Sequence, residues 1–576
     1  MQTEEFGGPK MESVLQFKKA NCKNCYKCIR NCPVKAIEVK DHQAQIIERE
    51  CIYCGKCTQV CPQNAKHVRS DVRSVQALIK QGKQVVASIA PSFIAHYPVR
   101  NFAGFQSALL SLGFADARET AEGAFLVKSE YEALMQKNWN KTIISSCCPT
   151  VVQLIEKHYP QAIPYLAPVL SPMQAHGQVL RAAYPEAVLV FIGPCIAKKD
   201  ECQRQPGLID FVLTFDELND WFSQSSVDPA CCEAQPDAPR LSRFFPVTGG
   251  ILKTMAPQAA YQYVSVDEVD GCMAALEEIV SGRLSGCFVE MSACKGSCIQ
   301  GPVAGNHAPV LLEGQMKVER IAANGTQPAS DFALQPAGSL SKHFVDLNGN
   351  PSLPSEEEIQ QILLKMGKKS PEDQLNCSAC GYPTCRDKAI AIYFGKADIT
   401  MCLPYMRERA ESVADKVITA SPNAVITVDI NLNIQLINPA ACAMFGVIDP
   451  KDMQGRPIST LLDEFDFVSV FAGRERITRK RVYLPEYQKY FDQTFLYEKN
   501  SNLVICILND RTAQELSHEK LRTAKINAAE MTDRIIEKQM RVVHELASLL
   551  GETAAETKVA MLELKKAVMM EEDLDQ

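Results

Sequence analysis

Cysteine placement constrains what this chain can fold into more than any other feature of it. Sixteen of the 24 cysteines fall into three sets. The first is the run Cys22, Cys25, Cys28, Cys32 and its repeat Cys51, Cys54, Cys57, Cys61, each ending in Cys-Pro. The second is dispersed: Cys148 in SSCCPT, Cys195 in GPCIAKKDE, and Cys294 and Cys298 in EMSACKGSCIQG, each segment following an apolar run. The third is Cys377, Cys380, Cys385 and Cys402. Clustered cysteines read as metal ligands more than as disulfides when the chain start, MQTEEFGGPKMES, lacks the apolar core of a secretory signal. A reducing, oxygen-poor cytoplasm is the expected compartment.

The 576 residues predict several domains, and a hydrophobic content of 46% supplies ample core. A net charge of −7 argues against nucleic acid as a partner, because phosphate binding needs clustered Lys and Arg. No apolar run is long enough to span a bilayer.

The N-terminal spacing, Cys-x2-Cys-x2-Cys-x3-Cys-Pro twice over, matches the run of bacterial two-cluster ferredoxins. Two-residue gaps let three thiolates from one loop grip one face of a 4Fe–4S cube. The fourth ligand crosses between motifs: Cys61 joins Cys22, Cys25 and Cys28, while Cys32 joins Cys51, Cys54 and Cys57. A pair of zinc sites is the competing reading, but it would not need four cysteines per run with a terminal proline.

Apolar segments at 84–90, 141–146, 187–193 and 285–291 read as strands, with amphipathic helical stretches between them, such as Val151, Val152, Leu154 and Ile155. That alternation predicts parallel sheets covered on both faces, with ligands gathering beyond the carboxyl ends of the strands. Three of the four strands run straight into a cysteine of the second set. Pro149 suits the first turn of a helix, whose amides would favour the thiolate of Cys148. Any one of these cysteines alone reads as a small buried apolar residue.

These blocks, together with ASIAPSF (87–93) and TGG (248–250), resemble the signature segments of the FeFe hydrogenases over roughly residues 15–350. The resemblance implies a two-lobed α/β domain holding an H-cluster, a 4Fe–4S cube joined to a two-iron subcluster. Carbon monoxide, cyanide and a bridging dithiolate complete that unit, which maturation enzymes install. Carried over by position, Cys148, Cys195 and Cys294 would ligate the cube and Cys298 would bridge it to the two-iron unit. Cys147 would face the open iron and pass protons, and Lys198 would donate hydrogen bonds to a cyanide. Glu130 would continue the proton path on a loose alignment, and it reads equally as a solvated acid on a helix face. Two positions depart from the family's catalytic members: Gly193 and Ser292 stand where methionine is usual. Val151 likewise replaces an aromatic residue. Retained ligands in an altered pocket resemble the sensory branch of the family, with low turnover.

The third set, in CGYPTC followed by Cys402 after a 16-residue gap, resembles a single-cluster 4Fe–4S domain; tetrahedral zinc competes with it. Gly381 permits a tight turn around the cluster. SPNAVITVDINLNIQLINPAACAMFG reads as strand, turn, strand and helix, with the turn at Asp429–Asn433. With the later strands it resembles a PAS domain, carrying Asn438-Pro439-Ala440-Ala441 and Gly446. The region contains no histidine for haem, and Cys442 and Cys506 read as core. Its ligand, if any, is left open. From residue 513 the chain is helix-forming, with Ile535, Met540, Val543, Leu546, Leu549 and Leu550 at helical spacing, as in a pairing helix. His544-Glu545-Leu546 is superficially similar to a phosphoacceptor helix. Only 32 residues follow it, so an ordinary surface histidine is expected. No nucleotide-binding fingerprint occurs, and Cys202, Cys231, Cys232, Cys272 and Cys287 receive no role.

The expected molecule is a multidomain α+β and α/β protein. It comprises a ferredoxin-like two-cluster domain (12–75), an H-cluster domain (80–350), a single 4Fe–4S domain (355–410), a PAS domain (411–515) and a helical signalling or dimerisation segment (516–576). The expected function is a sensory FeFe hydrogenase that binds and splits or forms H2. It would exchange electrons with a redox partner such as ferredoxin and signal to a kinase or phosphatase as a homodimer. The alternatives are a mainstream ferredoxin-linked hydrogenase with a regulatory PAS domain, and a non-catalytic iron–sulfur redox regulator.

Overall fold

In the computed structural model, which describes residues 13–40, 43–99, 101–231, 238–303, 310–322, 331–349, 352–473, 477–499, 501–547, 559–560 and 562–563, the first cysteine runs sit on two short antiparallel pairs. Strand β1 (Leu15–Phe17) pairs across the module with β4 (Lys66–Val68), and β2 (Ile37–Lys40) pairs with β3 (Gln43–Ile46). Each cysteine run turns through left-handed residues, Asn24 and Tyr26 in one and Tyr53 and Gly55 in the other, before the short helices Lys27–Asn31 and Lys56–Gln59. Those turns curl the backbone back so that several thiols face inward.

The chain divides into two compact units, residues 1–405 and 406–576. Within the first, the central domain is built on two parallel sheets. One contains β5 (Val85–Ile89), β6 (Asp116–Glu119), β8 (Val188–Gly193) and β9 (Phe211–Thr214), in the order β6-β5-β8-β9. The other contains β7 (Ile143–Ile144), β10 (Gln262–Val266) and β11 (Cys287–Met291), in the order β10-β11-β7. Every residue of β5 and β11 is buried, as expected of strands covered on both faces. The two-lobed α/β architecture expected from the sequence is present. The sequence reading does not identify β6, β9 or β10, although β9 is an apolar run (FVLT) that is largely buried.

Farther on, helices Glu356–Lys365 and Cys385–Tyr393 start at capping boxes made by Ser355 with Glu358 and Thr384 with Asp387. Helix Leu403–Ala420 spans the division between units. The second unit carries β12 (Ala424–Asp429), β13 (Ile434–Ile437), β14 (Ile477–Leu484), β15 (Lys489–Glu498) and β16 (Leu503–Asp510) in one antiparallel sheet ordered β13-β12-β16-β15-β14. Asn438 caps helix Pro439–Phe445 and accepts from the amides of Val425 and Ala441. Cys442 and Cys506 lie inside the apolar core of this sheet. The helix Thr512–Ala547 follows, with Leu521, Ile526, Ile535 and Leu546 exposed. Leu549, Leu550 and Cys232 lie outside the described residues. Among the described residues no helix is long and apolar enough to cross a membrane.

Candidate metal centres

Three strand ends, drawn from both parallel sheets, deliver cysteines to one place. Beyond β7 the chain passes through Cys147 and Cys148 into helix Pro149–His158, with Pro149 in its first turn. Beyond β8 it passes Cys195 into helix Ala197–Arg204, and beyond β11 it reaches Cys294 and Cys298. All five cysteines and Lys198 line one cavity of about 940 Å³, its open mouth included. No two of the three segments are neighbours in sequence.

Burial pushes the thiols of Cys147 and Cys195 up to about 12 and that of Cys298 up to about 11, and it raises Cys294 well above the ordinary value. Such thiols hold their protons until a cation displaces them, because the thiolate is the ligand and metal binding releases protons. Lys198 places a cation beside them. Its Nζ donates to Ser171 Oγ at 3.0 Å and to Glu201 Oε2 at 2.7 Å. Burial opposes its charge, but Glu201 outweighs burial and holds the lysine above its ordinary value.

Two residues at this site escaped the sequence reading. Tyr131 is fully buried, and its hydroxyl lies 3.2 Å from Cys147 Sγ while accepting from the amide of Ser146 at 2.8 Å. Glu290 lines the cavity, is 3% exposed and accepts from the amides of Gly249 and Leu252 at 3.0 and 3.2 Å. Burial lifts its carboxyl to about 7, against the backbone bonds that lower it. The turn that supplies these amides needs its glycines: Gly249 has φ +74°, and a Cβ on Gly250 would fall 1.9 Å from the carbonyl oxygen of Phe244. An acid inside the otherwise apolar CFVEM strand was the available signal for Glu290. Glu130 is half-buried on helix Ala121–Gln136 and is not among the residues lining the cavity.

The altered pocket positions now have surroundings. Ser292 lines the cavity, as do the thioethers of Met173 and Met291. A Cβ on Gly193 would meet the ring of Phe191 at 2.9 Å, and Phe191 itself lines the cavity. An aromatic ring therefore occupies space beside the position where a methionine side chain would stand.

In the N-terminal module, Cys32 shares one cavity of about 340 Å³ with Cys51, Cys54 and Cys57. Burial raises all four thiols. Around the other set, Lys66 Nζ donates to Cys28 Sγ at 3.4 Å, and Cys61 Sγ accepts from the amide of Ala65 at 3.3 Å. Burial works against the Cys61 thiolate, but the amides of Ala65 and Gln63 and the charge of Lys66 hold its pKa below the ordinary value. Cys22 and Cys25 flank this set, the first half-buried and the second exposed. Cys377, Cys380, Cys385 and Cys402 line another cavity of about 340 Å³, together with Lys388.

Among the described residues no three His, Cys, Asp or Glu side chains converge closely enough to hold a single metal ion. The Cys32, Cys51, Cys54, Cys57 and Cys377, Cys380, Cys385, Cys402 quartets each line a single cavity, a donor set that a cube with one cysteine per iron would use. Of the cysteines without a role, Cys272 and Cys287 are fully buried, and Cys202 Sγ donates to the carbonyl of Ile209 at 3.2 Å.

Fold and cavities together define a protein with a two-sheet α/β domain, cysteine-lined cavities and, in its second unit, an antiparallel sheet. Residues 83–302 match the family model described as "Iron only hydrogenase large subunit, C-terminal domain". Residues 21–65 match a 4Fe-4S dicluster domain, 373–404 an Fe-S cluster model and 415–481 a PAS domain. Iron hydrogenase 1 of Clostridium pasteurianum is 25% identical over 317 residues, covering 44% of this chain and 55% of that protein. NADP-reducing hydrogenase subunit HndD of Solidesulfovibrio fructosivorans is 25% identical over 351 residues, covering 49% and 55%. This chain thus spans about half the length of these relatives. A solved structure of HydA(deltaEFG), described as revealing stepwise FeFe-hydrogenase H-cluster assembly, is 18% identical, with a TM-score of 0.39 over 49% of this chain and 100% of that one. Residues 83–302 thus carry the large-subunit domain of the iron-only hydrogenases, and residues 415–481 a PAS domain.

Proposed function

We propose that this protein is a sensory FeFe hydrogenase that binds H2 and splits or forms it slowly at an H-cluster. The observation that carries this reading is the delivery of Cys147, Cys148, Cys195, Cys294 and Cys298 from three remote segments to one cavity. The donor set fits: Cys148, Cys195 and Cys294 would hold the cube, and Cys298 would bridge it to the two-iron subcluster. When bound, that group supplies a Lewis-acidic site for heterolytic splitting of dihydrogen and a store for electrons.

Everything else is the work of the chain. Lys198, kept charged by Glu201, presents an ammonium to an anionic ligand within the cavity. Cys147 takes or gives the proton, with the Tyr131 hydroxyl at its sulfur. Glu290, with a carboxyl near neutrality, is suited to exchange protons in either direction, and it takes the place expected of Glu130. Gly193 and Ser292 replace two thioethers with a packed ring and a hydroxyl, which alters the dielectric and hydrogen bonding that tune such a centre.

The two N-terminal sets and the Cys377–Cys402 set would hold 4Fe–4S clusters, which would supply one-electron carriers for exchange with a soluble partner such as ferredoxin in the cytoplasm. The PAS domain and the helix Thr512–Ala547 pass the redox or H2 state to a kinase or phosphatase, with the helix pairing two copies. The succession of redox modules, PAS domain and long helix along one chain supports this output.

Infrared spectroscopy of the anaerobically matured protein under H2 tests the reading. Bands of iron-bound CO and cyanide with slow H2-dependent reduction are expected. Turnover as fast as a bulk hydrogenase would remove the sensory half, and absence of the bands would remove the hydrogenase. Ser292→Met and Gly193→Met, the latter having to displace Phe191, should shift those bands and the H2 affinity. A non-catalytic iron–sulfur scaffold is the second reading. It is favoured by the 33% identity over 91 residues to the Cytosolic Fe-S cluster assembly factor NAR1 of Kluyveromyces lactis, a match covering 19% of that protein.

A further inference from the structure

The Cys377–Cys402 module does not simply follow the central domain; it is fastened to the N-terminal cysteine module. Arg30 donates to the carbonyl of Ala379 at 3.1 Å, the amide of Val39 donates to the carbonyl of Lys396 at 2.9 Å, and Lys396 pairs with Glu50 at 2.6 Å. A Cβ on Gly381, at φ +95°, would stand 2.9 Å from the side chain of Ile29 and 3.1 Å from the amide of Arg30. The two modules therefore meet backbone to backbone, immediately beside Cys380 on one side and Cys28 and Cys32 on the other.

Two polar groups occupy this seam. Lys35 Nζ donates to the carbonyls of Gly381 at 3.0 Å, Ile29 at 3.1 Å and Arg30 at 3.2 Å. Cys32, Asp387, Asp270 and Cys380 are the acidic groups facing it. Tyr382 is 2% exposed, packs in one core with Cys32 and Cys380, and has a buried hydroxyl without a hydrogen-bond partner among the described residues. A phenol hydroxyl left unpaired in a core costs stability unless something else accepts its proton. The acidic groups facing it are Cys380, Cys32 and Glu50, so clusters held at the two cysteines would bring acceptor sulfurs to this hydroxyl.

The Cys32, Cys51, Cys54, Cys57 set also abuts the central domain. A Cβ on Gly55, beside Cys54, would fall 2.3 Å from Pro302 and 2.8 Å from Ile196, the residue after Cys195. That set thus touches the loops of the hydrogenase-like cavity on one side and the Cys380 loop on the other.

Resting on the iron–sulfur reading above, we propose that the cluster held by Cys32, Cys51, Cys54 and Cys57 is a branch point, and that Lys35 and Tyr382 are positioning residues that couple it to the cluster held by Cys377, Cys380, Cys385 and Cys402. Each transfer across the seam moves one electron: the branch cluster is oxidised from its 1+ to its 2+ state as the other is reduced from 2+ to 1+, and no proton or bond changes hands. The Lys35 charge stabilises the reduced form of both clusters, and the Tyr382 hydroxyl donates to cluster sulfur, which acts in the same direction. The Cys377–Cys402 module, which precedes the PAS domain along the chain, is thereby loaded from the ferredoxin-like module rather than from the hydrogen site directly.

Redox titration of the full-length, cluster-loaded protein, followed by electron paramagnetic resonance with dithionite as reductant, tests this. In Lys35→Met, both seam clusters should become harder to reduce, with the reduction equilibrium of each falling about tenfold, or 59 mV for a one-electron couple. Lys35→Arg should restore both. Tyr382→Phe should shift the pair by a smaller amount in the same direction. Lys66→Met, which removes the donor to Cys28, should move the cluster of Cys22, Cys25, Cys28 and Cys61 and leave the Cys377–Cys402 cluster unchanged. Spin–spin broadening between the two seam clusters, present in the wild type, should weaken in Gly381→Ala. A full iron complement with no broadening, or with Lys35→Met moving only one of the two clusters, overturns the branch point alone. A protein that takes up no iron at Cys377, Cys380, Cys385 and Cys402 overturns the iron–sulfur reading of that module and the branch with it.

Discussion

Burial raises the thiols of Cys195 and Cys506 far above the ordinary range, although Cys195 keeps partial exposure and Cys506 none. Cys195 borders a cavity with four other cysteines and the ammonium of Lys198. Cys506 is enclosed by Ile426, Phe495, Val504 and Leu508 in the continuous apolar core of the PAS sheet. The difference teaches that burial by itself does not make a ligand. A sulfur becomes one where strand ends from separate sheets leave a void and a cation stands ready to meet the charge that deprotonation creates.

The contrast breaks most sharply if ligands are removed. Cys294→Ala should abolish the infrared bands and reduce H2-dependent activity to background, with iron content falling accordingly; unchanged bands would separate Cys294 from the centre. Next in size, Cys147→Ala should retain the bands and the iron but slow hydrogen–deuterium exchange by about 10²–10⁴-fold, the usual worth of a positioned proton-transfer group. An equal loss of bands would make Cys147 a structural ligand instead.

Glu290 sharpens the comparison through pH. A carboxyl raised to about 7 in the folded chain keeps its proton longer there than in the unfolded chain, where its pKa lies near 4.3. The folded state then binds more protons between these values, so its stability is greatest below the lower one and falls as pH rises towards 7. The loss is on the order of 3 kcal/mol, and Glu290→Gln should flatten it. Denaturant midpoints between pH 5.5 and 7.5 measure the slope; an identical slope in the variant would show that another group titrates. The smallest effect belongs to the core cysteine. Cys506→Ala should cost about 1 kcal/mol of unfolding free energy for one lost buried atom and leave iron content untouched. Any loss of iron there would erase the distinction drawn above.

Much of the fold was legible because apolar runs announce strands buried on both faces, as at β5, β8 and β11. Strand β6 was not: DARE carries its acids at a sheet edge, where Tyr184 and Gln106 donate to Asp116 and Arg243 pairs with Glu119. Strand β10 is likewise an edge, with no fully buried residue to mark it. Edge strands take their order from pairing partners far away in sequence, which local pattern does not contain. Loop spacing similarly marked the cysteines but gave no hint of Tyr131, whose hydroxyl reaches Cys147 from helix Ala121–Gln136.

The sequence by itself determined which sulfurs are grouped, since two- and three-residue gaps fix a loop's reach, and which runs must be buried, since apolar periodicity does not depend on partners. Tertiary structure alone decided that Cys148, Cys195, Cys294 and Cys298 share a cavity, that Glu290 rests on the amides of the TGG turn, and that the Cys380 loop lies against the Cys32 loop. Those juxtapositions join residues up to 349 positions apart. They arise from how two sheets and three cysteine modules pack, a property of the assembled chain that no short segment encodes.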